Sequence, residues 1–276
     1  MKLKVIYNYF INDYKNLNGA KYFSKALYLF VLLKCAFWTL NYSTEISANS
    51  VYFHNKLSIG FIKDLAFLFC AFESNILNVL ALIILATFLL GALFLKKKYV
   101  LLDLFIWFLV LNFHNYTYAG LSGGDYVLNQ LLFFNVFLVS KYNISNSKIN
   151  ELKILLHNFS VLSCMVLICI VYLHSGISKL MQDDWYTGKA VCNVLQIKHY
   201  SLPILNNLKF TWLINYLILF FQITFCVGML FNKARKYYLI IGIIFHLSVF
   251  IGMGIVSFSF LMLIPYFLFW NLKTSK

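Results

Sequence analysis

Residues 154–192 read ILLHNFSVLSCMVLICIVYLHSGISKLMQDDWYTGKAVC, and their order decides the fold. The apolar run over residues 154–175 is long enough to cross a bilayer, since a spanning helix needs about 20 residues. It passes directly into Gly176, Lys179, two aspartates and Trp185. Ionisable groups at membrane depth are costly, and each one found there is a candidate functional group.

The same character extends over the whole chain. Of 276 residues, 62% are hydrophobic and 12% charged, about half the charge of a soluble domain, which carries about 25%. A mean hydropathy of +0.78 leaves no room for a sizeable soluble domain. A β-barrel would need strands of about ten residues alternating apolar and polar, whereas these apolar runs are continuous and contain few prolines. The expected fold is all-α, a polytopic helical membrane bundle over residues 1–276. Eight spans are expected, at 24–42, 76–95, 99–115, 126–141, 154–175, 211–231, 237–253 and 255–272.

Loop charges orient these spans. With both termini cytoplasmic, most of the 23 lysines and arginines fall in the inner segments 1–25, 96–98, 141–153, 232–236 and 273–276, as the positive-inside rule requires. Residues 1–25 read as a basic cytoplasmic segment and not as a signal peptide, because no small-residue cleavage site follows the first apolar run. The formal charge of +14 is accounted for in this way, so the expected partner is the lipid bilayer of the plasma membrane and not nucleic acid. The six cysteines contain no CxxC pair, which supports neither a zinc nor a thioredoxin-like site, and no metal site is expected. Cys70 and Cys192 both fall in outer loops, where a disulfide between them is open. Residues 59–72 carry apolar residues on a helical period opposite Lys63 and Asp64, as an interfacial amphipathic helix would.

Three polar segments fall on the outer side of this topology. In the first, Tyr172, Gly176 and Lys179 share one helix face, and His174 and Ser178 share an adjacent one. Gly176 lets a neighbouring helix or a flat ligand approach closely. Loss of hydration disfavours the ammonium form of a lysine, and a neutral amine is a usable base or nucleophile. The alternative for Lys179 is an amine that snorkels to the headgroups. Asp183 and Asp184 either pair with Lys179 or face solvent, Trp185 fits an interfacial anchor, and Gly188 fits a turn. In the second segment, Gly123, Gly124 and Asp125 precede an apolar run as a turn and N-cap. His114 is either a proton-transfer group or a hydrogen-bonded helix-end histidine. In the third, His246 stands mid-span and should face the bundle interior and find a partner, in a structural or a catalytic role. Lys34 is similarly out of place in the first span. No HExxH, GxSxG, P-loop or dinucleotide glycine pattern occurs.

Together these segments resemble the horizontally transferred transmembrane (HTTM) domain, shared by vitamin K-dependent γ-glutamyl carboxylases and by bacterial membrane proteins that help produce sporulation-delaying peptide toxins. The pattern Y-x-x-(A/S)-G-x-x-K-L followed by W-x-x-G is matched by Tyr172, Ser175, Gly176, Lys179, Leu180, Trp185 and Gly188. A histidine-asparagine pair followed by G-G-D is matched by His114, Asn115, Gly123, Gly124 and Asp125, and a G-x-x-x-H-x-x-(I/V) helix by Gly242, His246 and Val249. The resemblance implies that Lys179 takes the role of the base that deprotonates vitamin K hydroquinone, which makes a quinone the implied cofactor. The chain ends about where the carboxylase membrane domain does. The implied activity is therefore not γ-carboxylation of propeptide-bearing substrates but maturation of a small secreted, toxin-like peptide, alongside a co-encoded partner protein.

Two functions of different kind follow. In one, the bundle is a maturation factor acting on a secreted peptide or a quinone-like lipid at the outer face, with Lys179 as base, His174 and His114 as proton partners, and Asp184 tuning the lysine. In the other, it is a non-enzymatic binding, escort or immunity subunit for a hydrophobic peptide. A transporter would show inverted repeats and broken helices near the midplane, and the sequence has neither.

Overall fold

The computed structural model describes residues 13–45, 75–117, 120–141, 151–197 and 210–270. The interfacial helix expected at 59–72 and the pairing of Cys70 lie outside them. All regular structure among the described residues is helical: α1 (Leu17–Leu40), α2 (Asn75–Phe94), α3 (Val100–Tyr116), α4 (Gly123–Val136), α5 (Glu151–Leu180), α6 (Asp183–Tyr186), α7 (Ala190–Gln196), α8 (Thr211–Leu230), α9 (Asn232–Met253), α10 (Val256–Leu263) and α11 (Tyr266–Trp270), with a four-residue turn at Tyr42–Glu45.

Five of these helices, α1, α2, α5, α8 and α9, are long and apolar enough to cross a membrane, and the chain is a multi-pass helical membrane protein. Their outer faces are apolar where a soluble helix would be charged; Ile244 and Ile251 on α9 are each 62% exposed. The stretches expected as spans three and four form the shorter helices α3 and α4. The eighth is interrupted, because α10 stops at Leu263 and α11 begins at Tyr266. Pro265 lies between them, and it lacks the N–H that a continuous helix would bond.

Cα packing divides the chain into two compact units, residues 1–161 and 162–276, with the division inside α5. In the first unit, α1 packs on α2, α2 on α3 and α3 on α4. The buried stripe of α1, with Phe23, Leu27, Val31, Cys35 and Trp38, follows the 3.6-residue period. Several polar groups inside this unit are paired with one another. The hydroxyl of Tyr28 donates to Asp103, and Lys98 Nζ lies 3.2 Å from the same carboxylate. Lys98 also donates to the Asn135 carbonyl at 2.8 Å, and Ser24 to Asn135 Oδ1 at 2.6 Å, which ties α1, α3 and α4 at one level. Lys25 donates to the carbonyls of Ala92, Leu93 and Leu95, satisfying acceptors that a helix end leaves open. His157 accepts from the Val139 N–H at 3.0 Å through Nδ1, so Nε2 carries the proton that reaches the Lys15 carbonyl at 2.8 Å.

In the second unit, α9 packs on α8, α10 and α11, and α7 packs on α8. Gly176 on α5 is buried; a Cβ there would stand 2.8 Å from Ile223 Cγ1 and 3.2 Å from its backbone nitrogen. That close approach brings one face of α5 against α8.

Candidate functional site

The second unit holds a cavity of about 400 Å³, within the range of about 300–1,000 Å³ usual for small-molecule pockets. Most of its wall is apolar, with Val171, Val191, Val194, Leu195, Ile214 and Ile218 among the lining residues. The polar groups in the wall are few: Lys179, Ser175, Tyr172, Gln222, His246 and Ser248.

Helix periodicity explains which α5 residues reach the cavity. Tyr172, Ser175 and Lys179 lie within about 60° of one another around the axis, at about 100° per residue. His174 is rotated about 140° from Lys179 by the same count; it is exposed, and the cavity wall does not include it. Nearness in sequence therefore does not bring His174 to the lysine.

The Lys179 ammonium donates to Ser175 Oγ at 2.5 Å and lies 5.3 Å from the centre of the Trp185 ring. The ring is well placed because its backbone is anchored. The Asn215 side chain donates to the Trp185 carbonyl at 2.8 Å, and the Tyr216 hydroxyl to the Tyr186 carbonyl at 2.9 Å. Gly188 takes φ +78° to turn the chain back, against Trp212 and Tyr216, a conformation that suits glycine. Asp183 and Asp184 are exposed, in a helical turn of four residues. No ion pair joins Asp184 to Lys179 among the described residues, so the lysine's immediate partners are a hydroxyl and an aromatic face.

A second polar group lies deeper along the same face. Tyr172, two turns from Lys179 or about 10 Å along the axis, is 2% exposed. Its hydroxyl lies 2.6 Å from His246 Nε2 and 2.5 Å from the Tyr266 hydroxyl. Gly242 makes room for this arrangement, because a Cβ there would overlap the Tyr266 hydroxyl. Gln222 stands between the two groups, at the level of Gly176. Gln222 Oε1 and His246 Nδ1 are buried without hydrogen-bond partners among the described residues. Such groups are costly, and both side chains line the cavity.

His114, Gly123, Gly124 and Asp125 belong to the first unit. Asp125 forms an ion pair with Lys34, and His114 Nε2 is 3.6 Å from the same carboxylate. His114 Nδ1 meets Asn129 Oδ1 at 2.9 Å, and Lys34 lies 5.2 Å from the centre of the Trp38 ring. Asp125 is not the cap residue itself. Ser122 takes that position, and Asp125 reaches back to its N–H at 2.8 Å and its hydroxyl at 2.9 Å, the reciprocal arrangement of a capping box. Gly124 is buried and Gly123 exposed, with open space around it. The cluster joins α1, α3 and α4 through a neutralised ion pair.

Three contributors belong to none of the sequence motifs: Gln222, Tyr266 and Asn215. Each is a polar side chain inside an apolar helix, and that isolation is itself a signal of an inward-facing group. No group of histidine, cysteine and acidic residues able to hold a metal ion occurs among the described residues. Comparison of the chain with protein-family models, with curated proteins and with solved structures gives no match.

Proposed function

We propose that this membrane protein is an HTTM-like maturation factor of the plasma membrane. It has eight spans and cytoplasmic termini, holds a largely apolar molecule in the cavity of its second unit, and acts there through Lys179 on a secreted peptide or a quinone-like lipid. The observation that carries this is the seat of Lys179: an amine lining an apolar cavity, held by Ser175 and Trp185 with no carboxylate paired to it among the described residues. An unneutralised amine in apolar surroundings is a competent base.

Each neighbour has a part in the chemistry. Lys179 takes a proton from an acidic O–H of the bound molecule. Ser175 accepts one amine N–H and so aims the lone pair. The Trp185 face attracts positive charge, and that attraction grows as the ammonium forms, which favours the transition state over the ground state. The cavity suits a quinone: it is largely apolar, with Lys179, Tyr172, Gln222 and His246 among the few polar side chains of its wall. A quinone in its reduced form supplies the acidic ring hydroxyl on which such a base acts.

One observation favours the binding or escort alternative. A cation–π seat also suits a lysine that stays charged and holds an anionic group such as a peptide carboxylate. Lys179→Arg and Lys179→Ala separate the two, with the secreted peptides of the source cell read by mass spectrometry and membrane insertion checked by fractionation. A base is lost in both variants, because arginine stays protonated. A binding site keeps much of its activity in Lys179→Arg alone. Unchanged product from Lys179→Ala at normal membrane levels would overturn both.

A further inference from the structure

Two helices give the cavity its length. Its lining runs from Val171 to Lys179 on α5 and from Phe245 to Met253 on α9, which is about 12 Å along each axis at 1.5 Å per residue. A third helix, α7, closes one side with its apolar face. Ala190, Val191, Val194 and Leu195 line the cavity, while Asn193 and Gln196 on the opposite face are exposed. The polar atoms of this elongated space are unevenly offered to a ligand. Gln222 Oε1 and His246 Nδ1 are fully buried, so nothing in the cavity touches them. The Tyr172 hydroxyl is held between His246 and Tyr266, and Ser248 Oγ donates to the Phe245 carbonyl at 2.7 Å. Lys179 and Ser175 are only partly buried. A lysine ammonium carries three donors. Ser175 Oγ accepts one of them, and no other acceptor for that nitrogen occurs among the described residues. A ligand therefore meets one cation with open N–H groups, set in a wall that is mostly hydrocarbon.

Building on the cavity reading above, we propose that the cavity binds a single-chain lipid with a carboxyl head, the head on Lys179 and the chain against the apolar wall. Charge selects the head. A carboxyl group is a stronger acid than an alkylammonium by about six units in water. Its proton passes to the Lys179 amine, and a carboxylate–ammonium pair forms with no other bond made or broken. The carboxylate oxygens accept the open N–H groups in charge-assisted hydrogen bonds. Hydrogen bonding selects the chain. A peptide C-terminus brings the same carboxylate, but every peptide residue also brings backbone polar groups that need partners when buried. The wall has few to give, and a hydrocarbon chain needs none. The bound lipid leaves Lys179 as an ammonium. Its occupancy and the deprotonation of another molecule by the same amine therefore exclude one another, which makes such a lipid an inhibitor of the base.

Binding is measured without turnover, on full-length protein in lipid nanodiscs. The probe is dodecanoic acid with a photoactivatable diazirine in mid-chain, and its adducts are mapped by peptide mass spectrometry. Adducts are expected on the cavity-lining stretches of α7 and α9. Unlabelled dodecanoic acid should compete about 10–100-fold better than its methyl ester, which cannot make the charge-assisted bonds. Lys179→Met should lose this preference. Lys179→Arg should keep it, because a guanidinium still pairs with a carboxylate. The carboxyl carbon of the bound acid, labelled with ¹³C, should report the ionised form. Equal competition by acid and ester in the wild type, or a preference that persists in Lys179→Met, would overturn the proposal. So would adducts confined to helices that do not line the cavity. The comparison of acid with ester in the wild type holds even if Lys179→Met fails to insert. A neutral carboxyl in the bound state would overturn the proton transfer. An acetylated leucine tripeptide that competes as well as dodecanoic acid would overturn the choice of a lipid over a peptide. Failure of the base reading is seen separately, as unchanged product formation in Lys179→Arg, a variant in which lipid binding is retained.

Discussion

Asp125→Asn should destabilise the first unit, and Lys34→Met should largely undo the damage. In the wild type, the Lys34 and Asp125 side chains are paired at 14% and 8% exposure. Removing one member of a buried pair costs about 3–5 kcal/mol, because the remaining charge is left uncompensated. Partial exposure of Lys34 places the effect at the lower end, and its seat over Trp38 offsets about 0.5–1 kcal/mol. Asparagine keeps an acceptor for the Ser122 N–H, so the cap contributes little to the loss. The expected cost of Asp125→Asn is therefore about 2–3 kcal/mol. In Lys34→Met with Asp125→Asn no charge is left unpaired, and stability should return to within about 1 kcal/mol of wild type. SDS-driven unfolding of detergent-purified protein, followed by tryptophan fluorescence, gives all four corners of the cycle. Additive effects of the two substitutions would refute the pairing, since groups that interact directly show coupling of about 0.5–3 kcal/mol.

Two glycines make further predictions. Gly176→Val should cost at least about 1–3 kcal/mol through overpacking, because its Cβ meets the Ile223 backbone as well as its side chain; the same SDS titration reads it. Gly188→Ala should cost about 1–2 kcal/mol for the left-handed backbone and leave the α5–α8 contact intact. Its local effect is loosening of the Trp185 turn, read as faster proteolysis within residues 183–189.

Much of the candidate site is legible in the sequence, for reasons particular to each residue. The shared face of Tyr172, Gly176 and Lys179 follows from helix periodicity alone. So does the inward orientation of His246, since a histidine among apolar neighbours must find a partner. The identity of that partner is not legible. Tyr172 lies 74 residues from His246, and only the packed helices bring the two together. Lys34 and Asp125 are each anomalous alone, yet their pairing spans 91 residues. His174 and Asp184 illustrate the converse. They are close to Lys179 in the chain but separated from it by rotation about α5 and by the short α6 turn. Tyr266 is not legible because the stretch 255–272 reads as one apolar helix, whereas the chain breaks at Pro265.

The central claim is that the Lys179 amine faces an apolar cavity and not bulk water. Its most direct test is chemical labelling of the full-length protein in membranes, with each lysine read by peptide mass spectrometry. The exposed Lys189 serves as the internal reference. A sulfonated, membrane-impermeant amine reagent should modify Lys189 and spare Lys179. A small apolar amine reagent should reach Lys179, and Val194→Trp, which fills the cavity wall, should slow that reaction while leaving Lys189 unchanged. Equal modification of Lys179 and Lys189 by the sulfonated reagent would contradict the account, because a lysine freely open to water has no cavity through which to act.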